Sequence, residues 1–121
     1  MHASTSTQTA QKLHMALEKC DLNTIVNCFS DDCTLEVIDK DHPPSSSLKL
    51  NGKKAISDYY KDIFGRKMTH HIDQEIIGDG QIAFTESCQY PDGMRVVAAE
   101  VFELTADGKV SRQTNVQAWD A

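Results

Sequence analysis

Residues 69–119 read THHIDQEIIGDGQIAFTESCQYPDGMRVVAAEVFELTADGKVSRQTNVQAW, and three Asp-Gly pairs punctuate them: Asp79-Gly80, Asp92-Gly93 and Asp107-Gly108. A tight hairpin turn needs a positive φ at its centre, which glycine adopts without steric cost, so Asp-Gly between alternating apolar runs marks a hairpin. The pairs separate Thr69–Ile77, Gln81–Tyr90, Arg95–Thr105 and Lys109–Trp119. Each segment is long for a strand. Together they predict a four-stranded antiparallel meander.

Upstream the period changes. Ala10, Leu13, Leu17 and Cys20 recur at helical spacing within Thr7–Cys20, behind a Ser/Thr-rich start, His2 to Thr7, that is expected to fray. Asp21 is placed to cap a short second helix carrying Leu22, Ile25, Val26 and Phe29 and ending at Ser30-Asp31-Asp32. Cys33 to Ile38 alternates as a short strand. Asp39 to Leu50, with Pro43-Pro44 and Ser45-Ser46-Ser47, reads as a surface loop. Asn51 is placed to cap a third helix from Gly52 to about Phe64, with Ile56, Tyr59, Tyr60, Ile63 and Phe64 as its apolar stripe. The expected organisation is a flexible tail over residues 1–8 and one domain over 9–121. The order helix, helix, strand, helix, four strands predicts an α+β layer architecture. Long twisted strands curl around helices, and such a sheet leaves an open mouth where a small-molecule pocket forms.

Composition narrows the partners. A chain of 121 residues with net charge −6 fits one domain and lacks the basic patch that nucleic acid requires. No apolar run reaches membrane-spanning length. Cys20, Cys28, Cys33 and Cys88 show no Cys-x-x-Cys spacing, and the start lacks the apolar core of a signal peptide. Reduced thiols in a cytoplasmic protein are expected, with a disulfide such as Cys20–Cys33 as the alternative. His70 and His71 are adjacent, so in a strand they point apart; His2, His14 and His42 are scattered, and no spacing matches a zinc, calcium or nucleotide motif. The expectation is no metal and no cofactor, with a small organic molecule as the partner.

Strand parity selects candidate site residues. Ile82, Phe84, Cys88 and Tyr90 share a face with Glu86; Val96, Ala98, Phe102 and Leu104 share one with Glu100. With Tyr90 opposite Val96 the two glutamates meet directly; a shift of two sets Glu86 opposite Ala98, diagonal to Glu100. Either register brings two carboxylates together on an apolar concave face, where both cannot ionise cheaply and one pKa rises. On the first meander strand His70, Ile72, Gln74 and Ile76 share the inward face, and His71, Asp73 and Glu75 the wet one. His70 is expected near Cys88 or Tyr90, close to Glu86, which is an acid/base pairing. A plain core histidine, and carboxylates at a wet mouth, are the structural alternatives. A Cys88–His70 thiolate pair is a further, lesser one. Val97, Ala99 and Val101 form a second, outward apolar face that suits a homodimer. On the last strand hydrophobicity alone turns Val110, Val116 and Ala118 inward and Gln113, Asn115, Gln117 and Trp119 outward.

These residues resemble the nuclear transport factor two-like superfamily, in its SnoaL-like and ketosteroid-isomerase-like branch. The resemblance runs from about Thr9 to Asp120. It is carried by Cys20-Asp21-Leu22, Phe29-Ser30-Asp31-Asp32-Cys33-Thr34, Asn51-Gly52 with Ile56, Gly78-Asp79-Gly80-Gln81-Ile82-Ala83, Asp107-Gly108-Lys109-Val110 and Trp119-Asp120. It implies a cone-like, curled antiparallel sheet wrapped on three helices (a cystatin-like α+β barrel), usually dimeric, with a deep pocket. It matches the isomerases' oxyanion-hole aspartate to Glu100. Their general-base position falls on Val37, after Glu36, and their helix tyrosine on about Leu13, so neither group is present. A dehydratase-like inward histidine resembles Thr69-His70-His71-Ile72. The resemblance also turns Gln113, Asn115 and Gln117 toward the cavity, against simple alternation.

The expected function is a small-molecule pocket with acid/base capacity, of isomerase, dehydratase or hydrolase class, or else a non-catalytic binding or dimerisation module. His70, Glu86 and Glu100 are the candidate catalytic groups. Tyr59, Cys88, Gln113, Asn115, Gln117 and Trp119 are the candidate ligand contacts.

Overall fold

The computed structural model describes residues 4–121. Helix α1 spans Thr5–Lys19, α2 Leu22–Asn27 and α3 Lys53–Gly65. The strands are β1 Phe29–Ile38, β2 Leu48–Asn51, β3 Thr69–Gly78, β4 Gln81–Gln89, β5 Arg95–Leu104 and β6 Val110–Trp119. One six-stranded sheet runs in the order β2-β1-β6-β5-β4-β3. All pairs are antiparallel except β1 with β6. The sheet is curled but not closed, since β2 and β3 are free edges, so the cone is an open one.

The meander follows the three turns. Gly80, Gly93 and Gly108 have φ of 76°, 92° and 85°, the left-handed values that Asp-Gly anticipates. Gly108 is further constrained, because a Cβ there would collide with Thr5 Cγ2. Bulges add curl. One lies between Ile72 and Gln74, another between Phe29 and Thr34 of β1, and a third beside Glu103 and Leu104.

The helices close one face. Ala10, Leu13, Ala16 and Leu17 of α1, Ile25 of α2, and Ile56 and Tyr60 of α3 pack with Phe29, Leu35, Val37, Ile82, Phe102 and Val110 in a single core. Asp21 caps α2 by accepting from the Thr24 N–H. No described helix is long and apolar enough to cross a membrane.

Several boundaries differ from expectation. Helix α1 begins at Thr5, within the stretch expected as a tail. Ser4 caps it by accepting from the Thr7 N–H, Ser6 accepts from the Gly80 N–H at 2.9 Å, and Thr9 donates to the Gly108 carbonyl at 2.6 Å. Ser6, from the end expected to fray, and Thr9 thus form a polar seam between α1 and two hairpin turns. Residues 1–3 of the expected tail lie outside the described residues. Helix α2 stops at Asn27, and Phe29 to Asp32 begin β1 instead. The 39–50 loop contains β2, which pairs Leu48–Asn51 with Thr34–Val37. Asn51 therefore belongs to a strand, and Gly52 precedes α3 without a side-chain cap. The described cysteines are all free, so no Cys20–Cys33 disulfide is present.

Candidate functional site

The curl, the helices and α3 in particular enclose a narrow cavity of about 450 Å³, its mouth included. Leu17, Ile63, Met68 and Val96 supply apolar wall. His70, Glu86, Glu100, Asn115 and Gln117 are its polar residues, and Tyr59, Tyr90 and Trp119 also line it.

Strand register assembles the polar groups. His70 pairs with Cys88, and Glu86 pairs with Ala98, which is the shifted of the two anticipated registers. Glu100 lies opposite Phe84 on one side and Asn115 on the other. Paired residues point to the same side, so His70, Glu86, Cys88, Glu100 and Asn115 converge from four adjacent strands. The bulge at Asp73 then shifts β3 by one. Glu75 and Ile77 now pair with Phe84 and Ile82, and this end of β3, Ile76 and Ile77 included, is exposed. The expected inward placement of Gln74 and Ile76 is corrected by that inserted residue, while Glu75 stays exposed as expected. Glu75 reaches His14 of α1 at 3.6 Å.

The hydrogen bonds form a chain. His70 Nδ1 is 2.7 Å from Glu86 Oε2 and 3.3 Å from Cys88 Sγ. The Gln113 amide donates to Glu100 Oε1 at 2.9 Å, and Tyr60 donates to the Gln113 carbonyl oxygen at 2.8 Å. At the mouth Trp119 donates to the Gln117 oxygen, whose amide reaches the Tyr59 hydroxyl at 3.4 Å. Lys40 sits 4.3 Å above the Trp119 ring. Among the described residues, three buried atoms lack a hydrogen bond of ordinary geometry, His70 Nε2, Glu100 Oε2 and Asn115 Oδ1, although the Glu100 carboxyl also interacts with Glu86 and Asn115.

Electrostatics separates the two carboxyls. Glu100 is 1% exposed; burial first, then the charge of Glu86, pushes its carboxyl well above the usual carboxylate range. Burial would also raise Glu86, but the hydrogen bonding with His70 and the interaction with Glu100 outweigh it and hold Glu86 below that range. The pair therefore keeps a proton above the pH at which an ordinary carboxyl loses it, and Glu100 is the member that holds it. Burial, then the Glu86 charge, drives the Cys88 thiol strongly upward, which rules against the Cys88–His70 thiolate. Burial likewise raises Tyr59 and Tyr60, so both remain phenols.

The structure brings the sequence-derived candidates together with one exception. His70, Glu86, Glu100, Tyr59, Cys88, Asn115, Gln117 and Trp119 line the cavity. Gln113 does not; it is fully buried behind Glu100 and holds that carboxyl against Tyr60. Its inward parity, and that of Asn115, nonetheless follows the resemblance, while Val116 is exposed. Sequence reasoning missed Tyr60 and Tyr90 as site residues. Tyr60 stood in the α3 stripe, where a buried hydroxyl needing a partner was the available signal. The absence of metal-ligand spacing also concealed a cluster, since the donor atoms of His70, Glu86 and Cys88 lie within 4.8 Å of one another.

A family model described as the SnoaL-like domain matches residues 10–113. Among solved structures, an NTF2-like protein of unknown function from Mesorhizobium loti is 13% identical with a TM-score of 0.81, covering 98% of this chain and 97% of that one. A steroid delta-isomerase from Pseudomonas aeruginosa is 9% identical with a TM-score of 0.76, covering 96% of this chain and 81% of the other. The epoxide hydrolase/cyclase-like enzyme SalBIII, of pyran ring formation in the polyether salinomycin, is 19% identical with a TM-score of 0.73, covering 95% and 90%. At such identities the likeness concerns the fold.

Proposed function

Because this chain belongs to the SnoaL-like domain family, we propose that its cavity is a cofactor-free acid/base site for a small polar organic molecule, of isomerase, dehydratase or hydrolase type. The observation that carries this reading is the set of unpartnered buried atoms on cavity-lining side chains: His70 Nε2, Glu100 Oε2 and Asn115 Oδ1. Buried polar groups are nearly always hydrogen-bonded, so this trio suits a ligand that both donates and accepts. Neighbours of the same fold named as an isomerase and as a hydrolase/cyclase-like enzyme support the class.

The roles follow from the hydrogen bonds. Ionised Glu86 accepts the Nδ1 proton of His70, which leaves the Nε2 lone pair as the base, as in other carboxylate–histidine dyads. Glu100 accepts the Gln113 amide at Oε1, so its own proton belongs on Oε2, where a substrate oxygen would compete with Glu86 for it. A substrate C–H adjacent to a carbonyl would give its proton to Nε2. The electron pair moves onto the carbonyl oxygen, which takes a hydrogen bond from Glu100. The imidazolium, stabilised by Glu86, then returns the proton to another carbon, completing an isomerisation, or to a departing hydroxyl, completing a dehydration. The usual isomerase base and tyrosine positions are occupied by the buried apolar Val37 and Leu13, so His70 takes the base role from a different strand.

Two further parts belong to the same reading. Val97, Val101 and Val116 are each more than 40% exposed on the outer face of β5 and β6, which supports a homodimer through that face. Four free thiols suit a reducing, cytoplasmic location. Carbon-detected NMR titration of the side-chain carboxyls tests the core of the proposal. Glu100 is expected to titrate well above, and Glu86 below, the ordinary value of about 4.3. Normal titration of Glu100 would remove the proton donor and with it the acid/base assignment.

A further inference from the structure

We propose that His70, Glu86 and Cys88 also form a binding site for one thiophilic divalent cation of the zinc class, a second occupant that competes with proton transfer at the cavity. The binding site itself stands apart from the acid/base reading; the competition with proton transfer rests on that reading.

The geometry carries it. Nitrogen, oxygen and sulfur donors from β3 and β4 lie within 4.8 Å of one another, and all three side chains are buried. His70 Nδ1 is the hub, 2.7 Å from Glu86 Oε2 and 3.3 Å from Cys88 Sγ. Tetrahedral zinc, with bonds of about 2.0–2.3 Å, sets such donors about 3.3–3.6 Å apart. Seating the ion opens the nitrogen–oxygen pair by about 0.6 Å and the nitrogen–sulfur pair by about 0.3 Å, within reach of small side-chain rotations. His70 and Cys88 are directly paired across the two strands, so the backbone fixes their separation. All three donors belong to residues that line the cavity, as does Glu100.

Charge balance favours the ion. Glu86 is already ionised, and the cation displaces the Cys88 thiol proton to solvent. The His70 proton moves from Nδ1 to Nε2 as Nδ1 takes up the metal. One carboxylate and one thiolate neutralise the divalent charge, so the buried centre carries no net charge, and one proton is released per ion. Nε2 then carries a proton and has lost the lone pair required of a base, so the metal-bound site is inactive for proton abstraction. A soft sulfur beside an imidazole selects zinc or cobalt over magnesium or calcium.

Cobalt(II) titration of the chelator-treated protein tests the site, because a thiolate–cobalt charge-transfer band reports sulfur ligation and ignores exposed histidines. One equivalent is expected, with the band in full and one proton released per ion. Cys88→Ser, which keeps the size of the side chain, is expected to abolish the band. Glu86→Gln is expected to weaken binding at least tenfold, and Cys20→Ser to leave it unchanged. Circular dichroism of each variant establishes that it is folded. No band at millimolar cobalt, or a band lost in Cys20→Ser and kept in Cys88→Ser, overturns the proposal. Carboxyl titration of the metal-free protein tests the acid/base reading separately, so either can fail alone.

Discussion

Replacing Glu100 by glutamine removes one titrating proton while keeping the side chain's shape and its acceptor for the Gln113 amide. In the unfolded chain Glu100 loses its proton near its ordinary value of 4.5, whereas in the folded protein burial and the charge of Glu86 keep it protonated well above that. The native state therefore binds more protons than the unfolded state over this window. The contribution of Glu100 is fully present below 4.5 and declines as pH rises, by about 1.4 kcal/mol per pH unit, until the folded group itself ionises. Glutamine cannot ionise, so Glu100→Gln escapes the decline. The variant is expected to match or fall slightly below wild type near pH 4.5 and to gain on it at about 1.4 kcal/mol per unit above. Glu86 acts with the opposite sign: its folded pKa is lowered, so its contribution is present above the ordinary range and is lost as pH falls through its folded value. The difference between wild type and variant isolates the proton the pair shares. Urea unfolding of both proteins, followed by circular dichroism from pH 4.5 to 8, measures it. A stability difference that does not change with pH would show that Glu100 ionises normally and would refute the shared-proton account.

Further tests address other parts of the molecule. Nitrogen-15 NMR of His70 is expected to find the proton on Nδ1 in the metal-free protein, and the dyad assignment fails if Nε2 carries it instead. Tyr60→Phe strands the buried Gln113 oxygen and is expected to cost about 1–3 kcal/mol in urea unfolding. Gly93→Ala pays only the left-handed backbone strain, about 1–2 kcal/mol, because no atom lies within 4 Å of its Cβ. Gly108→Ala also collides with Thr5 and is expected to cost clearly more, and equal melting temperatures for the two variants would count against the seam between α1 and that turn. Val97→Lys with Val101→Lys is expected to give a monomer in sedimentation, and an unchanged sedimentation coefficient would exclude the outer face as the dimer surface.

The meander was legible because its signals are local. Each Asp-Gly turn announces itself within two residues, and strand ends followed within a residue or two. Short elements with nonlocal partners were not. The strand Leu48–Asn51 exists because Thr34–Val37 offers it an edge; its four residues follow the Pro/Ser-rich run 43–47, which reads as a loop. Ser6 likewise looks like part of a disordered start until the Gly80 backbone is set beside it.

For the site, the chain itself determined which residues compete for the inner face: His70, Glu86, Cys88 and Glu100 follow from period-2 alternation, and a carboxylate among Ile82, Phe84 and Cys88 is anomalous on any register. Only the tertiary structure decided how they meet. It selected the register that sets Glu86 opposite Ala98, joined His70 to Glu86, and withdrew Gln113 from the cavity to hold Glu100 against Tyr60. It also turned Asn115 inward, although the apolar alternation of Val110, Val116 and Ala118 argued otherwise. The irregularity beside Glu103 and Leu104 allows Val110 and Gln113 to be buried together on one strand. Alternation is a property of consecutive residues and survives in the sequence. Register, bulges and the sharing of a proton depend on partners distant in the chain, so they exist only once the sheet has formed.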